Sequence, residues 1–131
     1  MSVLRPHILI ADSEEEVREA LSRQAHALGL SSVTAGNVGE ALHMARTLLP
    51  DVVVVDVSSR LEGRDLLAAL ARDEATSGIQ VVVLSEWEDQ FVRHACLKLG
   101  ACDYSVKPFD HIFMRRLARK TGLSPGPEFT H

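Results

Sequence analysis

Three short runs constrain this chain more than anything else in it: HILIA at 7–11, VVVVDV at 52–57 and IQVVVL at 79–84. Each is rich in β-branched residues and lacks the apolar–polar alternation of a strand with one wet face. Strands buried on both sides have this composition, and both sides are buried when a parallel sheet is covered by helices. Two weaker runs, 32–35 and 103–106, are more polar and read as edge strands. Helical stripes lie between the runs. The clearest sets Val38, Ala41, Leu42, Ala45, Leu48 and Leu49 on one face, and Val17, Leu21, Ala25 and Leu28 form a second. Leu66, Leu67 and Leu70 begin a third, Phe91 or Val92 with Ala95 and Leu99 a fourth, and Ile112, Phe113 and Leu117 a fifth. Capping-box spacing at Ser13/Glu16, Asn37/Glu40 and Ser85/Glu88 supplies helix starts, while Gly29, Pro50 and Gly100 supply stops. Five strands alternating with five helices require parallel pairing through right-handed crossovers, hence an α/β three-layer sandwich.

Composition excludes more than it assigns. A chain of 131 residues is one domain, able to bury a core without disulfide or metal. Its apolar runs are too short to span a bilayer, and its N-terminal stretch has no signal-peptide pattern, so a cytoplasmic location is expected. Net charge −4 argues against broad electrostatic binding of nucleic acid. Arg115, Arg116, Arg119 and Lys120 near the last helix end are expected there from the helix dipole. Cys96 and Cys102 lack redox or zinc spacing, and the six histidines form no metal motif. Residues 1–121 read as the domain. The stretch GLSPGPEFTH at 122–131 reads as a flexible tail, either the start of a linker or a remnant of expression cloning.

Ligands of an open parallel sheet bind beyond the carboxyl ends of its strands. Asp12, Asp56, Ser85 and Lys107 stand at four such ends. Each alone has an ordinary explanation as a cap or a solvated charge. Together they place two carboxylates, a hydroxyl and an ammonium at one mouth.

With those residues in place, the chain resembles the receiver domain of bacterial two-component response regulators over about residues 5–120. The resemblance is carried by ILIADSEEEVREAL (8–21), A-x-N-x-x-E-A-L (35–42), PDVVVVDV (50–57), VVVLS (81–85) and GACDYSVKPF (100–109). It implies a flavodoxin-like sheet of order 2-1-3-4-5. It implies that Asp56 accepts a phosphoryl group from a sensor histidine kinase or phosphotransfer protein, with no activity beyond its own phosphotransfer and dephosphorylation. Mg²⁺ is the implied cofactor, held by Asp12, Asp56 and the backbone carbonyl of Ser58. Lys107 is implied to pair with Asp56 and then with the phosphoryl group, with a cis bond before Pro108. Ser85 and Tyr104 are implied to switch the surface of helix 4, strand 5 and helix 5. An effector domain or protein would read that surface, and a homodimer of charged pairs involving Lys98 and Asp103 is an open option. No direct nucleic-acid or membrane partner is expected.

Three departures from the family pattern stand out. Ser13 occupies the place of a second acid, leaving at most a hydroxyl to hold a metal's water, with Glu14 as a replacement ligand in the minor alternative. Glu86 follows Ser85 where a small residue is usual, which implies a crowded mouth, slow labelling by small phosphate donors and slow hydrolysis. The loop after Asp56 lacks the usual proline and is about one residue short, which bears on the Ser58 carbonyl. These departures keep open a degenerate receiver that binds proteins without a phosphoryl cycle. A flavin carrier is disfavoured, because Asp12 and Glu14 to Glu16 would repel its phosphate.

Overall fold

A computed structural model describes residues 5–58 and 63–125. Strands β1 (Ile8–Ala11), β2 (Ser32–Ala35), β3 (Val52–Val57), β4 (Gln80–Ser85) and β5 (Asp103–Val106) alternate with helices α1 (Glu15–Ala27), α2 (Val38–Leu48), α3 (Gly63–Arg72), α4 (Gln90–Lys98) and α5 (Phe113–Thr121). All strands are parallel, in the order β2-β1-β3-β4-β5. The two polar runs are the sheet edges, and β3 is buried along its whole length. This is the flavodoxin-like receiver architecture expected from the sequence.

Side chains alternate across each strand, so each strand feeds two cores. Leu9, Val53, Val55, Val81 and Val83 pack with Ala41, Ala45, Leu66, Leu67, Leu70 and Cys96 from α2, α3 and α4. Ile8, Ile10, Val52, Val54, Val82 and Leu84 pack with Leu21 and Ala25 of α1 and with Phe113, Met114 and Leu117 of α5. Burying one such Leu or Ile contributes about 1.5–3 kcal/mol, which is why uninterrupted apolar runs were needed at the sheet centre.

Some local signals act where the sequence places them and others do not. Asn37 caps α2 by accepting from the Glu40 N–H, and Gly29 and Gly100 take positive φ just past their helices. Ser13 and Ser85 cap nothing. Asp12 Oδ1 accepts the Glu14 N–H at the start of α1, and Asp89 caps α4 by accepting from Phe91 and Val92. Leu49 does not join the α2 stripe; it adopts the left-handed conformation at the helix end and is exposed. Val92 faces the core, whereas Phe91 is 88% exposed. Packed chain continues through Leu123, just beyond the expected start of the tail. Residues 59–62, which carry most of the shortened loop, and 126–131 lie outside the described residues.

Register sets up the site. Ala11 lies opposite Val55, Val57 opposite Ser85, and Ser85 opposite Val106, so Asp12, Asp56, Ser85 and Lys107 reach the same sheet end. The backbone of Gly63, opening α3, rests on β3 there. A Cβ at this position would meet the Asp56 carbonyl oxygen at 2.2 Å and Val57 Cγ2 at 2.9 Å. Gly63→Ala should therefore destabilise the protein by roughly 2–3 kcal/mol in urea unfolding, while Gly78→Ala, with nothing within 4 Å, should stay within about 0.5 kcal/mol.

Candidate functional site

Three of the four strand-end residues, Asp12, Asp56 and Lys107, meet side chain to side chain. Lys107 Nζ lies 3.0 Å from Asp12 Oδ2, 3.1 Å from Asp56 Oδ1 and 3.6 Å from Glu14 Oε1. Asp12 and Asp56 are buried, and the Lys107 side chain is 13% exposed. The remaining carboxylate oxygens are also engaged: Asp12 Oδ1 by the Glu14 N–H at 2.9 Å, and Asp56 Oδ2 by the Ser58 hydroxyl, which donates at 2.8 Å. Arg18 Nη1 donates to the Asp12 carbonyl at 2.7 Å, bracing the turn between β1 and α1. The Lys107–Pro108 peptide is cis.

Burial raises the Asp12 pKa above the ordinary carboxylate value, assisted by the neighbouring charge of Asp56 and opposed by the Glu14 N–H and Lys107. For Lys107, burial alone would lower the pKa, but pairing with Asp12 and Asp56 outweighs it and the net shift is upward. These carboxylates are hard oxygen donors of the kind a small divalent cation takes. Ser13 Oγ is buried and has no hydrogen-bond partner, leaving a hydroxyl open to a metal-held water. Asp12 and Asp56 therefore supply two of the oxygen donors a divalent cation takes, with no acid at position 13. Among the described residues no group of three His, Cys, Asp or Glu stands ready to hold a metal ion; the ammonium takes the place between the carboxylates.

Beside this cluster, Ser85 is fully buried at the end of β4. Its Oγ accepts the Trp87 N–H at 3.0 Å, and Tyr104, also buried, donates its hydroxyl to the Trp87 carbonyl at 2.5 Å. One peptide residue thus ties both expected switch residues together, and Arg93 lies over the Tyr104 ring at 5.9 Å. Sequence patterns carried no signal for this bridge, because it uses the backbone of Trp87 rather than its side chain. Glu86 is exposed and makes no hydrogen bond or ion pair among the described residues. On the α5 side, Lys120 pairs with Asp103 at 2.9 Å and Arg116 with Asp110 at 3.3 Å, so part of the basic cluster is neutralised within the chain. A cleft of about 570 Å³ lies elsewhere, at the opposite end of the sheet, lined in part by Arg5, Pro50, Gln80 and Thr121.

Known proteins agree with this architecture. The family model "Response regulator receiver domain" matches residues 8–119. The chain is 34% identical over 103 residues to a probable transcriptional regulator, ycf27, of Guillardia theta, covering 78% of this chain and 39% of that protein. It is 32% identical over 103 residues to the alkaline phosphatase synthesis transcriptional regulatory protein PhoP of Bacillus subtilis, covering 78% and 42%. Among solved structures, a response regulator from Thermotoga maritima superposes with TM-score 0.79 at 26% identity, covering 92% of this chain and all of that one. The chemotaxis protein CheY4 of Vibrio cholerae superposes with TM-score 0.82 at 20% identity, covering 89% and 98%. The chain belongs to the response regulator receiver domain family, a class of two-component signal transduction. It spans about two-fifths of the length of these two curated relatives.

The raised Asp12 pKa means that its charge costs stability at neutral pH, a cost relieved as pH falls through that raised value. Asp12→Asn should thus raise the melting temperature at pH 7, and the gain should shrink in acid. Lys107 has the opposite sign: its contribution is full below the ordinary lysine pKa and is lost as pH rises through its raised value.

Proposed function

We propose that this chain is a phosphorylation-controlled receiver whose acceptor is Asp56. The observation that supports it best is the buried Asp56 carboxylate held 3.1 Å from the Lys107 ammonium at the sheet end. Asp56 attacks the phosphorus of a phosphohistidine on a partner kinase or phosphotransfer protein. An O–P bond forms as the P–N bond breaks, and the imidazole leaves with a proton from solvent. Transfer of this kind depends on positioning and charge neutralisation. Lys107 follows the charge, from the Asp56 carboxylate to a phosphoryl oxygen. Asp12, Asp56 and the Ser58 carbonyl would hold Mg²⁺, which supplies further positive charge against the phosphoryl group.

Ser85 then turns its hydroxyl toward the phosphoryl oxygens. Because Trp87 N–H sits on Ser85 Oγ and Trp87 C=O holds the Tyr104 hydroxyl, this movement reaches Tyr104 and the β4–α4 loop together. A local charge event thereby biases a two-state element, and the face of α4, β5 and α5 is what an effector domain or protein reads. The protein acts as a switch that turns over only its own phosphoryl group.

Acetyl phosphate with Mg²⁺ tests the reading by intact mass: one phosphoryl group should appear on the wild type and none on Asp56→Asn. Absence of labelling by both acetyl phosphate and a phosphorylated kinase domain would instead favour a protein-binding module without a phosphoryl cycle. Ser13, with no charge to offer a metal, is the feature that already points that way. Exposed Glu86 places a negative charge next to Ser85 and repels small anionic donors. Glu86→Ala should label with acetyl phosphate several-fold faster than wild type, an effect that added salt should reduce.

A further inference from the structure

We infer that Arg93 is a positioning residue for Tyr104: its guanidinium, lying over the tyrosine ring, holds that ring inward against the β4–α4 loop. The guanidinium carbon is 5.9 Å from the ring centroid, within reach of a cation–π contact. No carboxylate among the described residues forms an ion pair with Arg93, so the ring face is the partner of this charge. Tyr104 is only 6% exposed, although it stands on β5 at the edge of the sheet. An edge strand has no neighbour on one side, and α4 packs against β5 to supply the cover. What an inward ring does for signalling rests on the receiver reading above; the hold on the ring does not.

The local backbone explains why Arg93 can take this part. Asp89 fixes the start of α4 by accepting the N–H groups of Phe91 at 2.7 Å and Val92 at 3.3 Å. The Arg93 N–H then donates to the Asp89 carbonyl at 2.9 Å, so the arginine leaves a well-held first turn. Val92 packs against the core while Arg93 is exposed, which lets its long side chain lie along the tyrosine with the charge still in water. On the other side, the Tyr104 hydroxyl donates to the Trp87 carbonyl at 2.5 Å. A ring turned outward would give up both contacts. Because Trp87 also donates its N–H to Ser85 Oγ, an inward ring steadies the residue on which Ser85 depends.

Tyr104 is the only tyrosine in the chain, so fluorotyrosine labelling gives one fluorine resonance. Its shift between light and heavy water reports how exposed the ring is, without any phosphoryl transfer. Arg93→Gln should raise the exposed-to-inward ratio by about two- to fivefold, the effect of one surface cation over a ring. Arg93→Lys, which keeps a cation, should stay closer to the wild type. His94→Gln, at the next exposed position of α4, should leave the resonance unchanged. Circular dichroism checks that each variant is folded. No change in Arg93→Gln, or equal disturbance by Arg93→Gln and Arg93→Lys, would overturn the role of Arg93. Intact mass after treatment with acetyl phosphate or a phosphorylated kinase domain separates the two readings. Absence of labelling by both donors, with the fluorine response intact, would overturn the receiver reading and leave the hold on Tyr104 standing.

Discussion

Lys107 carries one positive charge into a mouth lined by carboxylates, and the arrangement of the sheet end follows from it. Asp12 and Asp56 are both buried, and two like charges at that proximity without a cation would be expensive. The ammonium lies at hydrogen-bonding distance from each and within ionic reach of Glu14. It can do so because β5 lies beside β4, so that Lys107 leaves the sheet level with the acids of β1 and β3. A group that alters the charge on Asp56 changes what Lys107 must neutralise.

Beside that charge cluster a short backbone path joins the end of β4 to β5. Trp87 offers its N–H to Ser85 and its carbonyl to Tyr104. Both partners are buried, so neither hydrogen bond is readily exchanged for one with water. Ser85, the loop before α4 and the tyrosine on β5 are therefore tied through one residue. Trp87 itself is 40% exposed, and Phe91 stands out from the start of α4, so this segment also presents apolar surface.

Particular residues separate what could be read in advance from what could not. The burial of Val52 to Val57 and the edge positions of β2 and β5 were legible because parallel sheets demand unbroken apolar strands at the centre and tolerate polar ones at the rim. The strand order came with the family resemblance, since periodicity alone does not order parallel strands. Capping was less legible. Ser13 and Ser85 carry the right spacing, yet α1 begins after Glu14 without a side-chain cap and α4 is capped by Asp89, because an N-cap depends on where the chain turns and not on spacing alone. Leu49 failed the helical pattern for a related reason: it lies before Pro50 in a left-handed turn.

The sequence by itself determined the architecture and which residues stand at the strand ends. Hydrophobic burial acts on patterns written along the chain, and the strand-end residues Asp12, Asp56, Ser85 and Lys107 inherit their positions from those patterns. Only the tertiary structure decided how the site's charges are shared. Glu14 stands beside Lys107 while Glu15 and Glu16 do not, Ser13 Oγ is left without a partner, and Trp87 joins Ser85 to Tyr104. Electrostatic and hydrogen-bond partners are selected by distances of a few ångströms between segments remote in sequence. Those distances exist only once the strands are in register.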